Sequence, residues 1–156
     1  MKKITFFTLL MIMSFNLLTA QTALNFDSSI DEQHVKVLGI TCPDEFTFEA
    51  WINYRGQNDK YPTILEFGDD EPFFGLEDGL LTLYDIIYST SEIPLNEWTH
   101  VAVTFSTINS EAKLYINGML DATETGVTLD ISGTGAGIGY NGSDYVFNGS
   151  IDDVKI

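Results

Sequence analysis

The sequence predicts an all-β protein, a two-sheet antiparallel β-sandwich of jelly-roll type. Three observations carry the prediction. After residue 21 no stretch holds the 3.6-residue period of an amphipathic helix; apolar residues instead alternate in short runs. Turn chemistry separates the runs: Gly56-Gln57-Asn58-Asp59, Gly68-Asp69-Asp70, Asp78-Gly79, Ile93-Pro94, Gly133-Thr134-Gly135 and Asn141-Gly142. The runs number about a dozen, and short strands at that spacing close into a sandwich.

The elements follow in order. "ALNFD" and "HVKVL" open the domain. "FTFEAWINY" sets Phe46, Phe48, Ala50, Ile52 and Tyr54 on one face and Thr47, Glu49, Trp51 and Asn53 on the other. "TILEFG", "FFGLE" and "GLLTLYDIIYS" read as three further strands. "VAVTF" groups Val101, Val103 and Phe105, so Trp98 and His100 fall on the opposite face. "AKLYING" turns Leu114 and Ile116 inward, and Asn117-Gly118 is a strong hairpin signal with "MLDATET" as the returning strand. "GAGIGY" and "VFNGSIDDVKI" close the chain. "GTGAGIG" neither follows a strand nor opens a helix, so it reads as a strand between tight turns rather than a phosphate loop. In the closing strand the alternation aims Asp152, Val154 and Ile156 inward and Ile151 and Asp153 the other way.

The N-terminus has a different character. Lys2 and Lys3 precede a mostly apolar run from Ile4 to Leu18, and Thr19-Ala20 offers a small-residue cleavage site. This is the layout of a secretory signal peptide over residues 1–20. The run is too short and too interrupted to span a bilayer of about 30 Å, so membrane insertion is not expected. One domain, residues 22–156, follows. The whole chain has 7 basic and 23 acidic residues and a net charge of −16; loss of Lys2 and Lys3 makes the remainder more acidic still. Such a chain repels nucleic acid. Cys42 is the single cysteine, so no intramolecular disulfide is available, and its reading is a small packing residue.

Five pieces in order, "ALNFDSS", "FTFEAWINY", "EWTHVAVTF", "AKLYINGML" and "FNGSIDDVKI", resemble the concanavalin A-like, laminin-G-like jelly-roll domains of secreted proteins, pentraxin-like domains among them. The resemblance covers residues 22–156. It implies two curved sheets packed face to face, and a family of glycan-binding modules, adhesion modules and some polysaccharide-cleaving enzymes. The opening loop departs from the usual Asp-Gly-X-X-Asp-Tyr, reading "DSSIDEQHV" here. The chain stops at Ile156; a fragment of a longer protein and a minimal domain both stay open. The resemblance and the Lys-Lys leader suggest a bacterium, so the Asn141 and Asn148 glycosylation patterns read as turns.

The resemblance also frames the chemistry. Related glucanases place carboxylates as Glu-X-Asp-X-X-Glu on one strand; here Glu66, Asp69 and Glu71 have the wrong spacing to share a strand face. No nucleophile elbow or zinc-protease motif occurs, and His34 and His100 are the only histidines. A non-catalytic protein is expected. Relatives often hold a structural calcium ion where first and last strands meet, which implies a site near Asp27 with Asp152 or Asp153. Glycan recognition pairs an aromatic platform with polar partners, and the edge loop around Tyr140, Asn141, Asp144 and Tyr145 is the richest stretch, with Tyr61 a further candidate. Trp51, Trp98 and His100 carry two readings. The resemblance assigns them to the fold, with the tryptophans buried and the histidine hydrogen-bonded. The alternation allows a sugar to stack on Trp51 with Glu49, Asn53 and His100 as polar neighbours. The expected partner is a glycan or polysaccharide, or else another surface protein, met outside the cell.

Overall fold

A computed structural model describes residues 23–27, 29, 33–41, 43–56, 61–68, 73–129, 134–140 and 145–156. The leader, Cys42, Asp69, Glu71, Asn141 and Asp144 lie outside the described residues. Twelve strands form two six-stranded sheets among them, and no described helix is long and apolar enough to cross a membrane. The strands are β1 (Leu24–Phe26), β2 (Val35–Val37), β3 (Glu45–Tyr54), β4 (Thr63–Phe67), β5 (Phe73–Glu77), β6 (Leu80–Leu83), β7 (Ile87–Glu92), β8 (Trp98–Ser106), β9 (Glu111–Ile116), β10 (Met119–Thr125), β11 (Ala136–Ile138) and β12 (Gly149–Lys155). The first sheet runs β1-β12-β3-β8-β9-β10 and the second β2-β11-β4-β5-β6-β7, every pairing antiparallel.

The alternation in β3 is realised residue by residue: Phe46, Phe48, Ala50, Ile52 and Tyr54 are buried, and the residues between them face solvent wholly or in part. Phe46 stacks on Phe48 and on Phe105 of the neighbouring strand, and Phe48 stacks on Phe67 across the sandwich at 5.6 Å. Each such ring taken from water contributes roughly 1.5–3 kcal/mol, so the phenylalanines of both sheets hold the layers together without a disulfide. Phe147 and Ile151 bring the end of the chain into the same core.

Two hairpins follow from local chemistry. Asp78-Gly79 joins β5 to β6 and Asn117-Gly118 joins β9 to β10, all four residues at positive φ, as a type I′ turn requires. One expectation fails. "GLLTLYDIIYS" is not one strand: β6 ends at Leu83, Asp85 takes a φ of 59°, Ile86 N–H donates to Leu83 C=O at 3.0 Å, and the chain returns as β7. A continuous strand of that length would run roughly 36 Å, well past its neighbours. Asp tolerates the left-handed region, and the turn places Ile87 beside Leu83 on the core side.

The two sheets also meet at an edge. β10 and β7 are the edge strands on one side of the sandwich, and they lie against each other. β10 bulges between Leu120 and Ala122, and the extra residue, Asp121, sends its carboxylate across to β7. There Oδ2 accepts from Thr90 N–H at 2.5 Å, Thr90 Oγ1 at 3.1 Å and Ser91 N–H at 3.4 Å.

Candidate functional site

The solvent-facing side of the first sheet carries an ordered set of side chains, set by strand pairing. Because β3 and β8 pair with Trp51 opposite His100 and Asn53 opposite Trp98, the two tryptophans are diagonal neighbours on one face. Both are half-exposed, Trp51 at 39% and Trp98 at 41%. This corrects the burial that the resemblance implied. The core side of both strands is filled by Ile52, Val101 and Val103, and their period of two leaves the tryptophans no place in it.

Polar groups border the rings. On the β12 side, Asp152 stands opposite Trp51 and Ser150 opposite Asn53. His100 meets Trp51 edge-on, ring centroids 5.4 Å apart at 64°. The His100 backbone is clamped by Asn117, whose Oδ1 accepts from His100 N–H at 3.0 Å and whose N–H donates to His100 C=O at 2.7 Å. Lys155 Nζ donates to Glu49 Oε1 at 2.7 Å, and His100 Nε2 lies 3.7 Å from Glu49 Oε2. The hydrogen bond from Lys155 is the main reason the Glu49 carboxyl sits below its ordinary range, and the same bond raises Lys155. At the far end Arg55 donates to Asn25 Oδ1, which also accepts from Ser150 Oγ at 3.4 Å.

Asp27 is not brought to Asp152, one of the two aspartates expected to share a calcium ion with it. The pairing of first and last strands is as expected, but its register sets Leu24 opposite Ile151 and Phe26 opposite Gly149. Extended by one step it puts Asp27 opposite Asn148, leaving roughly 14 Å of strand, at about 3.4 Å per residue, between Asp27 and Asp152. The carboxylates of Asp27 and Asp152 are also engaged by neighbouring residues of their own segments. Asp27 Oδ1 accepts from Ser29 N–H at 2.9 Å and Ser29 Oγ at 2.7 Å, bonds that hold Asp27 below the usual carboxylate range. Asp152 Oδ1 accepts from Asp153 N–H at 2.9 Å. Asp153 sits in a bulge with a φ of 49°. That bulge resets the alternation: Ile151 is buried, Asp152 faces outward beside Trp51, and Val154 turns back to the core. Among the described residues no three His, Cys, Asp or Glu side chains gather as metal ligands. Asp27 and Asp152 therefore stand too far apart to ligate one ion.

The edge-loop candidates divide. Tyr140 stacks on His34 at 5.0 Å. Tyr145 joins Tyr61, Phe73 and Tyr84 in a ring cluster with centroids 4.7–6.4 Å apart. Its centre, Phe73, is 1% exposed yet stands outside the main core, because Phe74 and Leu76 take the inward positions of β5. These rings close over the outer side of the second sheet, so Tyr140 and Tyr145 are not on the Trp51 face. The sequence reading missed Lys155 and Asp152 as neighbours of Trp51. Only the register of β12 against β3 reveals them.

The face is suited to flat, shallow contact: exposed indole, amide and hydroxyl groups at fixed spacing on paired strands. A general acid needs a carboxyl raised toward neutrality, whereas Lys155 holds Glu49 below its ordinary range.

Known proteins agree with this architecture. A SAP-like pentraxin from Limulus polyphemus is 21% identical, with a TM-score of 0.65 over 84% of this chain and 73% of its own. A candidate carbohydrate-binding protein from Bacteroides ovatus is 20% identical, with a TM-score of 0.66 over 86% of this chain; the chain spans 42% of that protein. The CBM40 of a Ruminococcus gnavus sialidase, bound to α2,3 sialyllactose, is 18% identical, with a TM-score of 0.55 over 70% of this chain and 73% of its own. At these identities the likeness shows the fold. No curated protein matches the chain significantly. The Laminin_G_3 family model matches residues 27–156, and by that match the chain belongs to the concanavalin A-like lectin/glucanases superfamily.

Proposed function

We propose that this is an exported, non-catalytic carbohydrate-binding module that recognises glycan on the outer face of its first sheet. The observation that carries the reading is the diagonal pair Trp51 and Trp98, half-exposed on rigid strands. An indole held this way stacks against the apolar face of a sugar ring with little conformational entropy to lose. Asn53, Ser150 and Asp152 stand opposite or beside the rings and offer hydrogen bonds to hydroxyls. The sialyllactose-bound module of the same fold supports the reading, as does the secretory leader read at residues 1–20.

The test is a glycan array followed by titration of any ligand found, with wild type, Trp51→Ala and Trp98→Ala. Loss of either ring is expected to weaken binding by about 10–100-fold, in line with truncation of an interfacial tryptophan. The melting temperature should change little, because both rings are outside the core. Unchanged affinity in both variants would remove the face from the reading.

A further inference from the structure

We infer that this face selects uncharged glycans over those bearing carboxylates or sulfates. The inference rests on the proposed sugar-binding role of Trp51 and Trp98 and adds the chemical class of the ligand. Recognition of an anionic sugar needs a cation, or converging N–H donors, free to meet it. Among the described residues the face carries three Lys or Arg side chains: two are paired with carboxylates, and the third, Arg55, is held by a neutral amide at the far end. Lys155 is bonded to Glu49 at 2.7 Å, and Lys113 is bonded to Glu111. Arg55 is bonded to Asn25 and lies close enough to Asp27 to help lower that carboxyl, after the larger effect of Ser29. Lys36 stands on the second sheet.

The carboxylates are not all spent in these pairs. Asp152 stands directly opposite Trp51, and Glu97 precedes Trp98. Glu49 is shared between Lys155 and His100 on the same face. The chain as a whole carries −16. Salt screens the distant part of that charge, with a Debye length of about 8 Å at physiological strength, but Asp152 falls within that range of a sugar on Trp51, whereas the charge of Glu49 is offset by Lys155. An anionic ring on Trp51 would therefore meet the unpaired carboxylate of Asp152 directly, while Arg55 stands at the far end of the face beside Asn25. A neutral ring meets only hydrogen-bonding groups and indole.

The test uses the protein with two sets of probes at about 0.1 M salt. The neutral set is β-glucan, xylan, mannan and arabinan. The anionic set is polygalacturonate, alginate and sialyllactose, with the carboxymethylated form of any neutral polysaccharide that binds. The expected result is tighter binding of the neutral probes, with about two- to threefold weaker binding of the carboxymethylated form, from the one unpaired carboxylate, Asp152, at high dielectric. Glu49→Gln, which frees the Lys155 charge, should close that gap, read as the ratio of carboxymethylated to neutral affinity within the one variant. Equal or tighter binding of anionic probes would overturn the selectivity and leave the glycan-binding reading standing. A gap that Glu49→Gln does not narrow would also overturn it. Binding of neither set would remove the glycan-binding reading, and the selectivity with it.

Discussion

Asp121 is the residue whose removal tests the packing of the two sheets most directly. Its carboxylate leaves the β10 bulge and accepts from Thr90 N–H, Thr90 Oγ1 and Ser91 N–H on the facing edge strand. Hydrogen bonds to a charged group contribute about 1.5–3 kcal/mol each when buried. These are partly exposed, and in Asp121→Ala water replaces the lost acceptor, so the net cost is expected near 1–2 kcal/mol. At roughly 3–5 °C per kcal/mol for a domain of this size, the melting temperature should fall by about 3–10 °C. The pH dependence gives a second check. Burial pushes the Asp121 carboxyl up, but the bonds from Ser91 and Thr90 outweigh it and hold the group below 3.8. A depressed folded-state pKa means that the contribution is fully present above the unfolded value of about 3.9 and is lost as pH falls through the folded one. Urea denaturation of wild type and variant should thus show the full difference at pH 7 and a shrinking one as pH falls below the unfolded value. A difference below about 0.3 kcal/mol at pH 7 would refute the clamp. A difference that persists undiminished in acid would show that something other than the charged acceptor was removed.

Two further substitutions probe the interior. Thr99 is 1% exposed and its Oγ1 has no hydrogen-bond partner among the described residues, so Thr99→Val, which keeps the shape and removes the orphaned hydroxyl, should stabilise the protein by about 1 kcal/mol in denaturant titration; destabilisation would mean the hydroxyl is satisfied. Gly139 has a φ of 81°, and a Cβ there would lie 2.3 Å from the ring of buried Phe26. Gly139→Ala should therefore cost about 2–4 kcal/mol by calorimetry, and a loss under about 1 kcal/mol would show that Phe26 has room to retreat.

Much of this architecture is legible in the sequence because it arises locally. A period of two needs only neighbouring residues, and the inward faces of β3 and β8 follow from it in full. Asn117-Gly118 and Asp78-Gly79 announce hairpins because only residues tolerant of positive φ satisfy both central positions. The turn at Asp85 is harder to see. Its flanks, Leu83 and Ile87, are as apolar as a continuing strand, and only the width of the sandwich dictates that the chain reverse there. Exposure of Trp51 is harder again. Alternation says that it faces away from Phe48 and Ile52, but a sandwich has two outer sides. One of them is partly roofed by Tyr61, Tyr84 and Tyr145 around Phe73, rings brought together from distant parts of the chain. Nothing near Trp51 in sequence states which kind of side it occupies.

The aspartates show where this reasoning reaches its bound. Pairing of β1 with β12 was expected and is present, yet Asp27 and Asp152 stand far apart. Sliding one strand by two residues moves every side chain about 7 Å along its neighbour and returns each to the same face. Burial is therefore blind to such a shift, and so is any pattern drawn from burial. A metal site is not blind to it, since ligands must converge within a few ångströms of one ion. The periodicity that makes a strand's faces readable is thus what leaves its register unspecified. Sites spread over one strand and its paired neighbour, such as Trp51 with Asp152 and Trp98 with Asn53, become visible only when the hydrogen-bonded partners are known.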